Sequence, residues 1–184
     1  MPIQSLNADD VVHIRLEDTQ NVKERAFIRT IHEAAFGGPD EAALVDKLRA
    51  DGHVLISLVA ELDTGIVGHI LFSRMWIREP TGVLISAVAL APMAVLPGHQ
   101  RRGIGGRLVR YGLELLRGRG EKIAIVLGHP EYYPRFGFST QKADSLESPF
   151  PAEAFMAIEL ITGALDGIHG AVVYPPAFGI VNPS

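Results

Sequence analysis

Val95-Leu96-Pro97-Gly98-His99-Gln100-Arg101-Arg102-Gly103-Ile104-Gly105-Gly106-Arg107-Leu108 is the stretch on which the reading of this chain turns. An apolar strand end runs into a basic, glycine-rich turn, and the turn opens the first coil of an amphipathic helix. Such a turn offers free backbone N–H groups, the positive end of a helix and two adjacent arginines to a polyanion. A phosphate-bearing ligand is the expectation.

The spacing narrows which phosphate. A mononucleotide P-loop closes on Gly-Lys-Ser/Thr, a sequence that occurs nowhere in the chain. A dinucleotide fingerprint needs a third glycine where Leu108 stands, and an acid about 20 residues on. Gly103 and Gly105 fit that pattern and Leu108 does not.

Working outward, Val83 to Val95 is a long apolar run, as expected of a central strand buried on both faces. Pro92 interrupts it and cannot donate to a ladder, so pairing should break or bulge there. Ile104, Leu108, Tyr111, Leu115 and Leu116 then form a core-packing stripe on a helix that Gly118 to Gly120 end. Ile123 to Leu127 reads as a short buried strand.

Upstream, Val11 to Leu16 can form a first strand. Val22, Phe27, Ile28, Ile31, Ala35 and Phe36 recur at helical spacing, with Asp18 or Thr19 as cap and Gly37-Gly38-Pro39 as the end. Pro39 suits the first turn of a second helix carrying Leu44, Val45 and Leu48. Leu55–Leu62 and Ile66–Ile77 make a hairpin around Asp63-Thr64-Gly65. Downstream, Phe155–Ile161 and Ala171–Tyr174 are two late strands, separated by turns at Gly163, Gly167 and Gly170. The expected order is β-α-α-β-β-β-α-β-α-β-β. That is an α/β (α+β) architecture with a mixed central sheet of about six to seven strands flanked by helices, in one domain over residues 1–184.

Gln100-x-x-Gly103-x-Gly105, preceded by Pro97, resembles the pyrophosphate-binding segment of the GNAT superfamily of N-acetyltransferases. Tyr132-Tyr133-Pro134-Arg135-Phe136-Gly137-Phe138 resembles that family's Tyr-x-x-x-Gly-Phe segment. The two occur in the family's order with the strand Ile123–Leu127 between them, and the specific motifs lie within about residues 83–138. The resemblance implies the same element order and acetyl-coenzyme A as acyl donor. It places Met93, Ala94 and Val95 where the family binds pantetheine and the acetyl carbonyl through backbone groups, as an added strand would pair. It gives Gln100, Arg101, Arg102, Gly103, Ile104, Gly105 and Gly106 to the pyrophosphate. Tyr133 matches the tyrosine usually assigned to protonate the departing thiolate, a task suited to a phenol of pKa near 10. Adjacent Tyr132 could exchange roles with it. The chain departs from the family at Gly128-His129-Pro130, where many members carry an asparagine. The general base stays open among His69, Glu61, Glu131, His129 and a chain of waters.

Composition excludes several alternatives. No cysteine is present, so disulfides, thiolate metal sites and a cysteine acyl-enzyme are ruled out. The seven histidines show no close ligand spacing, and no metal is expected. A net charge of −4 gives no reason to expect nucleic acid. No apolar run approaches the roughly 20 residues of a membrane span. Asp9 and Asp10 stand where a signal peptide would be apolar, so a cytoplasmic location is expected. The expected activity is transfer of an acetyl group to the amine of a small molecule or a protein, in a possible homodimer. A non-catalytic acyl-coenzyme A sensor, or transfer of a longer acyl group or to a hydroxyl, is the competing reading.

Overall fold

The structure, a computed structural model, describes residues 11–182. Asp9 and Asp10 lie outside them. Strand β1 (His13–Leu16) leads to helices α1 (Val22–Phe36) and α2 (Asp40–Ala50), then to β2 (Val54–Leu62), β3 (Gly65–Arg78) and β4 (Leu84–Val95). Helix α3 (Ile104–Gly118) and β5 (Ile123–Leu127) follow. Three short strands close the chain: β6 (Leu146–Glu147), β7 (Phe155–Glu159) and β8 (Gly170–Val173).

Two local expectations are corrected. Helix α1 is capped by Asn21, whose Oδ1 accepts from the N–H groups of Lys23 and Glu24 at 3.1 and 3.2 Å. Asp18 is instead engaged one turn earlier, accepting from the Gln20 N–H at 3.1 Å. The helix expected after β5 is only a four-residue 3-10 turn, Tyr133–Phe136. Pro134 lacks an N–H, and Gly137 stops the turn at φ 100. Strand β6, at two residues, is too short to leave a pattern in the sequence.

The sheet runs β1-β2-β3-β4-β5-β7, with β8 beside the far end of β3 and β6 beside β8. Strands β1 to β4 are antiparallel, β5 is parallel to β4, and β7 is antiparallel to β5. Pairing across β3 and β4 slips where Pro92 leads one to expect it. Ile70 faces Met93 while Phe72 faces Leu90, so Ala91 and Pro92 together oppose Leu71. The β4–β5 ladder covers only Val88–Leu90 against Ala124–Val126. Beyond the bulge, β4 follows β3 and parts from β5.

Each face of the sheet buries its own layer. Helix α3 covers one, with Ile70, Phe72, Leu108, Leu113 and Leu116 at its centre. Gly112 sits mid-helix, where glycine costs about 1 kcal/mol relative to alanine. A Cβ there would lie 2.2 Å from the ring of Phe72, which is fully buried, so the glycine lets the ring lie against the helix backbone. On the other face, α2 packs Val45 and Leu48 onto Leu71 and Ala91 of the sheet, and α1 lies against β3 and β4. The C-terminal elements pack over Met75, Ile125 and Val172.

Beneath α1 runs a buried polar chain whose protons can be assigned by counting donors. A carboxylate only accepts, so Ser57 Oγ–H donates to Glu17 Oε2. Its one proton spent, Ser57 accepts from His69 Nε2–H at 2.8 Å. His69 Nδ1 therefore accepts from His32 Nε2–H, also at 2.8 Å. Arg49 holds the other oxygen of Glu17 at 2.6 Å. Both rings have no exposed surface. Burial, and then Arg49, lower the His32 pKa to about 4. Burial, then His32 and Arg49, hold His69 well below its ordinary range. The pair is neutral at pH 7.

Two outcomes follow from this packing. Gly112→Ala should cost about 1–3 kcal/mol of stability, read as a fall in Tm, and a second change of Phe72→Leu should recover part of it; an unaltered Tm would refute the steric role of Gly112. A neutral histidine in the fold takes up its proton only with difficulty. Its stabilisation is therefore complete above the unfolded pKa near 6.5 and is lost as pH falls towards about 4. For His32 this amounts to on the order of 3 kcal/mol. Denaturation at pH 7 and pH 5 should show a clear loss that shrinks in His32→Gln, whereas equal pH slopes for the two proteins would refute it.

Candidate active site

The glycine-rich turn is built from strain and an uncapped helix. Pro97–His99 form a 3-10 turn after β4, and Gln100 Nε2 donates to Val95 O at 3.0 Å, tying the turn to the strand. Arg101 adopts φ 59, which a non-glycine residue rarely does. Gly103, the N-cap of α3, stands at φ 80, where its missing Cβ is needed. Among the described residues no side chain caps α3, and no acid sits in its first turn. Its first N–H groups thus lack intrahelical partners. They open on a cavity of about 650 Å³.

The walls of this cavity are basic. Arg101 lines it, as do Arg110 and Arg135. The last two are held over aromatic rings, Arg110 at 5.1 Å from Phe136 and Arg135 at 4.5 Å from Tyr132. The Tyr132 hydroxyl reaches over the first turn of α3, 3.0 Å from where a Cβ on Gly105 would stand. Helical spacing from Gly103 and Gly106 to Arg110 was the available signal for that arginine. Nothing in the pattern pointed to Arg135.

The freed edge of β4 forms another wall. Leu96 N–H bonds Val67 O at 2.9 Å. By ladder alternation the backbone of Ala94 faces His69 on β3, while Met93 and Val95 turn theirs to the gap left by β5. Met93, Val95, Gln100, Arg101, Gly103, Ile104, Gly105 and Gly106 line the cavity together; Ala94 and Arg102 do not. The side chain of Ile104 is buried in the core.

A second cavity, of about 900 Å³, lies on the α1–α2 face and shares Met93, Gln100, Arg101 and Tyr132 with the first. Tyr133 lines it with 9 % of its surface exposed. Burial, and then Tyr132, push the Tyr133 phenol up to about 12. Burial also raises Tyr132, against the pull of Arg135 and Arg110. The ring of Tyr133 rests on Gly128, where a Cβ would lie 2.2 Å away. The Gly128-His129-Pro130 departure therefore has a steric meaning: the glycine seats the tyrosine.

The structure separates the candidate bases. His69 is sealed inside the buried polar chain. Glu61 is paired with Arg15 at 2.9 Å. Glu131 is exposed and outside both cavities. His129 lines the larger cavity. So does Glu41, in the first turn of α2, which leaves no signal in the sequence because the apolar stripe of that helix marks only its buried face.

Known proteins resemble this chain in sequence and fold. The profile of the acetyltransferase (GNAT) family matches residues 16–138. YjhQ of Escherichia coli (strain K12), described as an uncharacterised N-acetyltransferase, is 41% identical over 127 residues, which span 67% of this chain and 70% of that protein. The crystal structure of the GNAT family N-acetyltransferase YhbS from Escherichia coli, in complex with CoA, superposes with a TM-score of 0.83 at 30% identity and covers 96% of both chains. A GNAT family acetyltransferase from Brucella melitensis, in complex with acetyl-CoA, gives a TM-score of 0.75 at 36% identity over 92% of this chain and 99% of its own. With the family profile covering most of the chain and a relative 41% identical, the chain belongs to the GNAT family of acetyltransferases.

Proposed function

We propose that this chain transfers an acetyl group from acetyl-coenzyme A to a primary amine by direct attack in a ternary complex. The gap between β4 and β5 carries this reading, because it joins a basic cavity on one face of the sheet to a largely apolar one on the other. The pyrophosphate sits at the head of α3 among Arg101, Arg110 and Arg135. The pantetheine arm passes through the gap and pairs with Met93 and Val95, as an added strand would.

The thioester then faces the second cavity. The amine enters as an ammonium and must lose a proton before it attacks. His129, which lines that cavity together with Tyr133, takes that proton. Nitrogen bonds to the carbonyl carbon, and the oxyanion is met by backbone N–H groups on β4. The C–S bond breaks, the thiolate takes a proton from Tyr133, and the nitrogen gives up its second proton to leave the neutral amide, the phenol regaining its proton through solvent. Burial, which raises the phenol, keeps it in the protonated form that can donate.

Two experiments test the reading. Gly105→Val puts methyl groups where the diphosphate would approach, without forcing a positive φ. It should weaken acetyl-coenzyme A binding at least tenfold, about 1.4 kcal/mol, by titration calorimetry; unchanged affinity in a folded variant would remove the pyrophosphate assignment. Tyr133→Phe should lower kcat by about 10²–10⁴-fold with coenzyme A affinity intact. Tyr132→Phe should be milder, and His129→Gln should lower kcat/KM by about 10²-fold or more. Wild-type kcat in Tyr133→Phe, where chemistry limits the rate, would end the acid role. Tight acetyl-coenzyme A binding with no turnover of any amine would favour a sensor instead.

A further inference from the structure

Resting on the acetyltransfer reading above, we infer the acceptor's class: a primary monoamine carried on an apolar, ring-sized body. The part of the larger cavity remote from the glycine turn is walled by Phe36 and Leu44 from α1 and α2, and by Phe150, Tyr174 and Phe178 from the C-terminal region. Tyr174 bridges the last three, its ring centroid 5.8 Å from Phe150 and 5.1 Å from Phe178. This is a continuous aromatic surface, and at about 900 Å³ the cavity falls in the range of small-molecule sites. The acyl arm takes part of that space and the rest suits a compact body.

Charge decides the other half of the class. Among the described residues Glu41 is the one carboxylate of the lining, and Arg101 stands at the junction with the basic cavity. One ammonium is drawn in by Glu41, while a second would have no counter-charge and would meet Arg101. Polyamines and aminoglycosides are therefore poor fits. Peptides fit poorly for a different reason. Away from the junction, the polar side chains of the lining are Glu41, His129 and the hydroxyls of Tyr133 and Tyr174, too few to satisfy a run of buried amides. A long acyl chain would match the aromatic wall but would bring hydrocarbon against the Glu41 carboxylate, which a hydrocarbon tunnel would not hold.

The test is a comparison of kcat/KM by thiol release, using 2-phenylethylamine, hexylamine, spermidine and a lysine-containing tetrapeptide with acetyl-coenzyme A, and octanoyl-coenzyme A as alternative donor. The two apolar monoamines should exceed spermidine and the peptide by at least tenfold. Phe178→Ala should lower kcat/KM for 2-phenylethylamine at least tenfold, and Glu41→Gln should raise its KM by a similar factor, both with acetyl-coenzyme A affinity unchanged in calorimetry. Preference for spermidine or the peptide, a preferred octanoyl donor, or indifference to Glu41→Gln would overturn the proposal. No turnover of either apolar amine by a protein that binds acetyl-coenzyme A would overturn it alone. Failure to bind acetyl-coenzyme A would overturn the acetyltransfer reading as well.

Discussion

The two-against-one slip at Ala91 and Pro92 is the constraint from which the site follows. A strand can keep two neighbours only while its hydrogen-bonding groups stay in register with both. Proline removes one donor, and the bulge turns β4 towards β3. The parallel ladder to β5 ends at Leu90 and is not resumed. The sheet is thereby opened at its centre, and the opening connects its two faces. An uninterrupted β4–β5 ladder would satisfy the backbone of Met93 and Val95 internally and leave no passage for a ligand arm.

Glycines then set how closely the surrounding groups approach, and two of them act by leaving out a side chain. Gly112 admits the ring of Phe72 against α3, which fixes the helix over the sheet and with it the direction in which the N-terminus of α3 points. Gly128 admits the ring of Tyr133 against the end of β5, which fixes the phenol at the second cavity. One glycine sets the direction of the helix end that lines the basic cavity; the other sets the tyrosine ring that lines the second cavity.

The polar interior beneath α1 shows how burial removes a residue from contention. His69 lies on a strand next to β4, opposite Ala94, and by position alone it is an attractive base. Its two nitrogens are both committed, one to Ser57 and one to His32. Buried polar groups that satisfy one another hold the layers in register and are not available to substrate. His129, on the loop after β5, carries no such commitment to the core and lines the cavity.

The sequence by itself determined the order of elements as far as β5, the bulge and the basic glycine turn, because each is a local property. Pro92 acts on its own ladder, Gly103 on its own φ, and the stripe from Ile104 to Leu116 on its own helix face. It also marked Tyr133 by its distance from Gly137-Phe138, though not which of two adjacent tyrosines would seat on Gly128. What only the tertiary structure decided is everything that depends on distant segments meeting. Glu41, Phe150, Tyr174 and Phe178 come from opposite ends of the chain and share one cavity, and no periodicity links them. Arg135 becomes part of a basic wall because the turn after β5 lies across the head of α3. The backbone of Ala94 faces β3 and that of Met93 and Val95 the gap through the alternation of a ladder whose register is set by packing across the sheet. Local conformation is written in neighbouring residues, but a site's chemistry is set by which surfaces the burial of apolar faces brings together.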